Sequence, residues 1–203
     1  MTDDSVENLP PHDRRRFFAA GLARVLAPLA AYLEQRLPLK LPALTGYLRP
    51  PGALPEQRFL DTCYRCGSCA DACPVQAIKL MRIEDEDLAG TPQIDSDERA
   101  CVLCDGLSCM KACPSGALRF VEKLDIRIGL ARVDQKLCLR PKGEDCTACV
   151  ERCPLGKTAM VLDSAGRVRV IDPAATGRGC TGCGACQQFC PVLPVAAVRV
   201  LPY

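Results

Sequence analysis

Apolar positions along the chain follow two regimes. Between Phe17 and Leu33 the sequence is mostly apolar, and Phe18, Leu22, Val25, Leu29 and Leu33 recur at helical spacing, which predicts an amphipathic helix. Arg24 interrupts this stretch and Glu34 and Arg36 end it, so it falls short of a membrane span. Pro38, Pro42, Pro50, Pro51 and Pro55 follow and predict an extended linker. After residue 58 the apolar clusters are short and return about every 40 residues. Residues 75–78, 115–118, 155–159 and 195–198 each predict one helical turn, and residues 78–83, 118–121 and 160–162 predict strands. Ile94-Asp95, Val133-Asp134 and Ile171-Asp172 predict the returning arms of hairpins, with the acidic run 84–87 at one solvated tip. The chain thus divides into an N-terminal helical segment over 1–37, a proline-rich linker over 38–58 and a repeated α+β domain over 59–203.

A unit this small cannot bury enough apolar surface alone and needs a staple. Sixteen of the 203 residues are cysteine, against one histidine and no tryptophan. The cysteines form four groups of four, and every group ends in Cys-x3-Cys-Pro. The first is Cys63, Cys66, Cys69 and Cys73; the last is Cys180, Cys183, Cys186 and Cys190; both spell C-x2-C-x2-C-x3-C-P. The second group, Cys101, Cys104, Cys109 and Cys113, is lengthened between its second and third cysteines. The third, Cys138, Cys146, Cys149 and Cys153, is lengthened between its first and second.

Three thiolates at three-residue spacing let one loop wrap a cubane, and proline after the fourth keeps that cysteine extended and turns it towards a second metal centre. This is the bacterial ferredoxin run for a 4Fe-4S cluster. All sixteen cysteines are therefore the predicted metal ligands of four 4Fe-4S clusters, the first three of each group holding one cluster and the fourth crossing to a partner group's cluster. Groups one and four share the uninterrupted spacing, which favours a nested arrangement: Cys190 joining Cys63, Cys66 and Cys69, Cys73 joining Cys180, Cys183 and Cys186, and groups two and three exchanging Cys153 and Cys113. Sequential pairing is the alternative. Gly67, Gly182 and Gly184 permit either close approach of amides to sulfur or plain tight turns. A disulfide framework gives no reason for a fourfold C-x2-C with proline at a fixed place, and zinc ribbons do not use this pattern.

Charge and the remaining motifs narrow the chemistry. A formal charge of +2 offers no bulk attraction for nucleic acid, and four oxidised cubanes with sixteen thiolates would take it to about −6. The single histidine, His12, lies among charged residues, which removes histidine-based catalysis. There is no dinucleotide fingerprint, no P-loop and no nucleophile motif. The expectation is an electron carrier and not an enzyme, its working parts being the clusters. The alternative is a maturation or enzyme subunit with a labile cluster.

Near the N-terminus, Arg14-Arg15-Arg16-Phe17-Phe18 fits the core of a twin-arginine export signal, possessing a short polar start but no A-x-A cleavage site. With Leu48-Arg49-Pro50-Pro51-Gly52-Ala53-Leu54 before Cys63, the long second and third loops, Pro114-Ser115-Gly116-Ala117-Leu118 and Ile128-Gly129-Leu130-Ala131, the chain resembles the NapG/MauM family of ferredoxin-type proteins over nearly its whole length. The resemblance implies tandem two-cluster ferredoxin-like units carrying four 4Fe-4S clusters. It also implies a membrane quinol dehydrogenase as one redox partner, a catalytic reductase or dehydrogenase as the other, and periplasmic location through an uncleaved signal. A cytoplasmic or membrane-peripheral location is the alternative.

Overall fold

Short elements dominate because the sequence interrupts every apolar run with cysteine, glycine or proline. The computed structural model describes residues 46–82 and 85–203. The longest described helix, α1 (Glu56–Thr62), starts behind Pro55 with Glu56 in its first turn and buries Phe59 completely. The helices α2 (Ser68–Asp71), α3 (Ser108–Lys111), α4 (Ala148–Glu151), α5 (Pro173–Thr176) and α6 (Ala185–Gln188) are single turns, too short to persist without tertiary support. Each of α2, α3, α4 and α6 buries the third cysteine of a group: Cys69, Cys109, Cys149 and Cys186.

Strands pair in three antiparallel ribbons. β1 (Ile78–Leu80) and β2 (Pro92–Ile94) form one hairpin with Ile78 opposite Ile94, and β4 (Met160–Leu162) and β5 (Val168–Val170) form another with Met160 opposite Val170. β3 (Gly129–Val133) pairs instead with the C-terminal β6 (Val198–Pro202), from Gly129 opposite Pro202 to Val133 opposite Val198. An isolated bridge between Ala53 and Leu118 closes the earlier part in the same way, with Leu54 N–H donating to the Ala117 carbonyl and Arg119 N–H to the Gly52 carbonyl. The chain therefore closes on itself twice, each closure enclosing two cysteine groups and one hairpin.

These closures correct part of the local reading. Residues 118–121 do not form a hairpin with the segment ending at Val133, because Leu118 is taken by Ala53 and β3 by β6. Nor do residues 75–78 and 115–118 make helical turns: Gln76 and Gly116 have φ of 52° and 75°, which a right-handed helix excludes. Residues 156–158 are a 3-10 turn as expected, whereas 195–198 run into β6.

Two apolar cores follow the two closures. One gathers Phe59, Ile78, Ile94, Leu103, Met110, Leu118 and Ile126, the other Leu130, Met160, Val168, Val198 and Val200, and both Leu48 and Leu155 pack against each. The described part of the proline-rich stretch is packed and is no free tether. Pro50 and Pro51 are fully buried, and Arg49 donates to the Glu56 carboxylate, to Thr91 Oγ1 at 2.9 Å and to the Pro92 carbonyl at 2.9 Å while stacking 4.8 Å from the Phe59 ring. The predicted N-terminal helix, the twin-arginine-like segment and the first part of the linker lie outside the described residues. At the β1–β2 tip Asp85, Glu86 and Asp87 are exposed, and the Arg65 guanidinium donates to the carbonyls of Glu86 and Asp87.

Candidate metal centres

In three of the four cysteine loops a left-handed residue follows the first cysteine by two positions. Two positions after the first cysteine, Arg65, Leu103 and Gly182 have φ of 55°, 49° and 73°. That conformation turns each N–H back onto the preceding sulfur, 3.4 Å from Cys63, Cys101 and Cys180 Sγ respectively. For arginine and leucine it costs about 1–2 kcal/mol, a strain expected where a site needs the geometry. A second N–H reaches the fourth cysteine: Ala77 to Cys73 at 3.3 Å, Leu118 to Cys113 at 3.4 Å and Ala197 to Cys190 at 3.3 Å. Group three differs, since Cys138 runs into the 3-10 turn Arg140–Lys142. Of the three glycines singled out by sequence, Gly182 aims its amide at sulfur, while Gly67 and Gly184 serve as left-handed caps of α2 and α6.

The sixteen thiols, none joined in a disulfide, collect into sets of four. Cys63, Cys66, Cys69 and Cys113 line one cavity. Cys101, Cys104, Cys109 and Cys73 line a second, and Cys180, Cys183, Cys186 and Cys153 a third. In the remaining set Cys149 has Cys138, Cys146 and Cys190 as its sulfur neighbours. The fourth cysteine does cross, but the pairing is sequential: groups one and two exchange Cys73 and Cys113, and groups three and four exchange Cys153 and Cys190. The nested arrangement is therefore corrected. The two chain closures decide the pairing, and the extra residues that suggested nesting, Asp105-Gly106 and the stretch 141–145, are exposed.

Burial and crowding govern the protons. Burial, opposed by the Leu103 N–H and reinforced by Cys109, Cys73 and Cys104, pushes the Cys101 thiol up to about 12. Cys183 is likewise pushed to about 12, and Cys69, Cys109 and Cys149 to about 11, with burial the leading cause in each. Cys186 is raised further by burial and by Cys183 and Cys180. The exposed Cys66 goes the other way, its thiolate favoured by the Ser68 hydroxyl at 3.3 Å and by backbone N–H groups. Four such thiols do not ionise together at neutral pH unless a cationic core compensates them.

The lining fits an iron–sulfur core. Thr181 Oγ1 lies in the wall of the third cavity, 1% exposed and without a hydrogen-bond partner, so a buried donor waits beside the four sulfurs. Among the described residues no three His, Cys, Asp or Glu side chains converge tightly enough for a single ion; the sulfurs ring a space instead of meeting at the roughly 2.3 Å bond length of a zinc shell. Sequence reading missed the hydroxyls of Thr181, Ser68 and Ser115. Their proximity to cysteine was visible, but which of them the fold turns inward was not.

Comparison with known proteins agrees with the pairing of groups one and two. Residues 62–117, which span groups one and two, match the 4Fe-4S dicluster domain, and residues 180–192 match a 4Fe-4S binding domain. The chain is 40% identical over 190 residues to the methylamine utilization ferredoxin-type protein MauM of Methylorubrum extorquens, covering 90% of this chain and 81% of the relative. It is 39% identical over 207 residues to the ferredoxin-type protein NapG of Escherichia coli, covering 95% and 87% respectively. At this identity and coverage the chain belongs to the NapG/MauM family of ferredoxin-type 4Fe-4S proteins.

Proposed function

We propose that the chain is an electron carrier built as two tandem ferredoxin-like units, in which each set of four cysteines holds one 4Fe-4S cluster. The observation that carries the reading is the three-plus-one composition of all four sets, which uses every cysteine and leaves each cluster with four thiolate ligands. A bound cluster supplies reversible one-electron chemistry. The chain's own groups do the rest: the N–H donors at Cys63, Cys73, Cys101, Cys113, Cys180 and Cys190 stabilise negative charge on sulfur. Full thiolate ligation argues for electron transfer over an enzyme or maturation role, which would use an open iron.

The partners in this reading are a membrane quinol-linked donor and a catalytic redox enzyme. One relative's name ties it to methylamine utilization, which fits a dedicated carrier for a single oxidoreductase system. The Arg14-Arg15-Arg16-Phe17-Phe18 segment supports export to the periplasm, with the N-terminal segment retained. Replacing Arg14 and Arg15 by Lys is expected to leave loaded, brown protein in the cytoplasm; unchanged location on fractionation would remove the export reading.

The deciding experiment is iron, sulfide and zinc analysis of anaerobically purified protein with an EPR redox titration. About sixteen iron and sixteen sulfide per chain are expected. Zinc without sulfide would overturn the electron-transfer reading, and about twelve iron would favour the maturation or enzyme role. Cys73→Ser is expected to deplete the cluster of Cys101, Cys104 and Cys109 more than that of its own group; loss confined to its own group would sink the crossed ligation.

A further inference from the structure

The spatial order of the four cysteine sets differs from their order along the chain. Group four, not group three, abuts group two. The Cys101 N–H donates to the Cys183 carbonyl at 2.8 Å, so the backbone of one set is bonded directly to the backbone of another. Ala100 N–H donates to Gln188 Oε1 at 3.0 Å, and the Gln187 side-chain amide donates to Asp97 Oδ1 at 2.6 Å while its oxygen accepts from Val200 N–H at 2.8 Å. A Cβ on Gly184 would lie 2.1 Å from Ser96 Oγ, so nothing larger than glycine separates the two segments. Ser96, Ala100, Thr181 and Cys183 are all at least nine-tenths buried there, and Cys183 packs into the apolar core of the first closure.

Helix α2 of group one packs against α3 of group two, and α4 of group three against α6 of group four. The group-one loop is exposed at Tyr64, Arg65 and Cys66, and the group-three loop is exposed over 141–145.

We infer that the four clusters stand in one line, in the order first set, second set, fourth set, third set, with the Cys101–Cys183 contact joining the two halves. This deepens the electron-carrier reading and rests on it. A line of this order makes the inner pair the obligatory passage, although the two inner groups are not neighbours in sequence and share no ligand.

Magnetic coupling between reduced clusters tests the order without any assay of turnover. Cys63→Ala with Cys66→Ala strips half the thiolates of the first set, and Cys138→Ala with Cys146→Ala does the same to the third. The full chain carrying all four changes is expected to retain about eight iron, and its two reduced clusters are expected to broaden and relax each other in EPR. Two loaded clusters that behave as isolated spins would overturn the linear order. If that chain fails to load, the two end-stripped variants decide the question separately: each is expected to hold about twelve iron with no isolated narrow signal, and such a signal in either would overturn the order. Absence of iron from the unaltered chain is a different result, which would fail the four-cluster reading itself.

Discussion

The cysteine loops of groups one and four share one spelling, C-x2-C-x2-C-x3-C-P, and sit in opposite surroundings. Residues 64–66 are exposed, with Tyr64 71% accessible, whereas residues 179–187 are buried without a break. Both loops place an N–H 3.4 Å from their first sulfur through a left-handed residue, so the shared motif dictates ligand geometry. It does not dictate environment. The group-four loop is covered by Ile128, just before β3, whose N–H donates to the Thr181 carbonyl, and by the segment 96–101; the group-one loop is bonded to the tip of its own hairpin through Arg65. Two loops with the same cysteine spelling therefore receive different solvent access, one of the levers that set the reduction potential of a bound cluster.

The sharpest way to break this comparison is to add a methyl group to each loop. Gly182 has φ of 73°, and a Cβ there would lie 2.3 Å from the Gly129 backbone, which is fixed in the β3–β6 ribbon. Gly67 has φ of 80°, but its added Cβ would meet only Leu80 Cδ1 at 3.6 Å. Gly182→Ala is expected to cost about 3 kcal/mol or more, from overpacking on top of backbone strain, and to lose the group-four cluster. Gly67→Ala is expected to cost about 1–2 kcal/mol from backbone strain alone and to keep all four. Thermal unfolding and iron content check both, and equal losses would mean that the burial difference has no energetic weight.

A smaller effect separates the two closures. The second half is closed by the five-residue β3–β6 ladder, the first by a single bridge and by Arg49. Arg49→Met would leave Thr91 Oγ1 and the Pro92 carbonyl without their guanidinium donor, at a cost of about 2 kcal/mol. Glu56 is half exposed and adds little to that figure. The clusters of Cys63 and Cys101 are expected to be lost at lower denaturant than those of Cys138 and Cys180. Simultaneous loss of all four, followed by absorbance and EPR, would show instead that the halves unfold as one.

The four cysteine groups, the crossing of each fourth cysteine to another group and the two true hairpins were legible in the sequence because cysteine spacing and Cys-Pro impose local geometry. Pairing was not, since it depends on closures between residues far apart, Ala53 with Leu118 and Gly129 with Pro202. Insertion length misled for a physical reason: the extra residues bulge into solvent and leave the ligands where they were. Arg49 stood inside a proline-rich stretch that reads as a linker, and only its contacts with Phe59 and Thr91 reveal an anchor.

The finest test of the comparison uses two hydroxyls. Thr181 Oγ1 has no partner among the described residues and lines the buried group-four cavity, while Ser68 Oγ lies 3.3 Å from Cys66 Sγ at the exposed loop. A hydroxyl that donates to sulfur favours the more negative reduced state and raises the potential. Thr181→Val removes that donor where water cannot replace it, and the group-four cluster is expected to fall by about 40 mV, the one-electron equivalent of about 1 kcal/mol. Ser68→Ala removes its counterpart where water can take over, so a smaller shift is expected at the group-one cluster. An EPR titration that found the Ser68 shift to be the larger would mean that solvent access does not distinguish these two sites, and that the burial of residues 179–187 serves the junction with group two and not the potential.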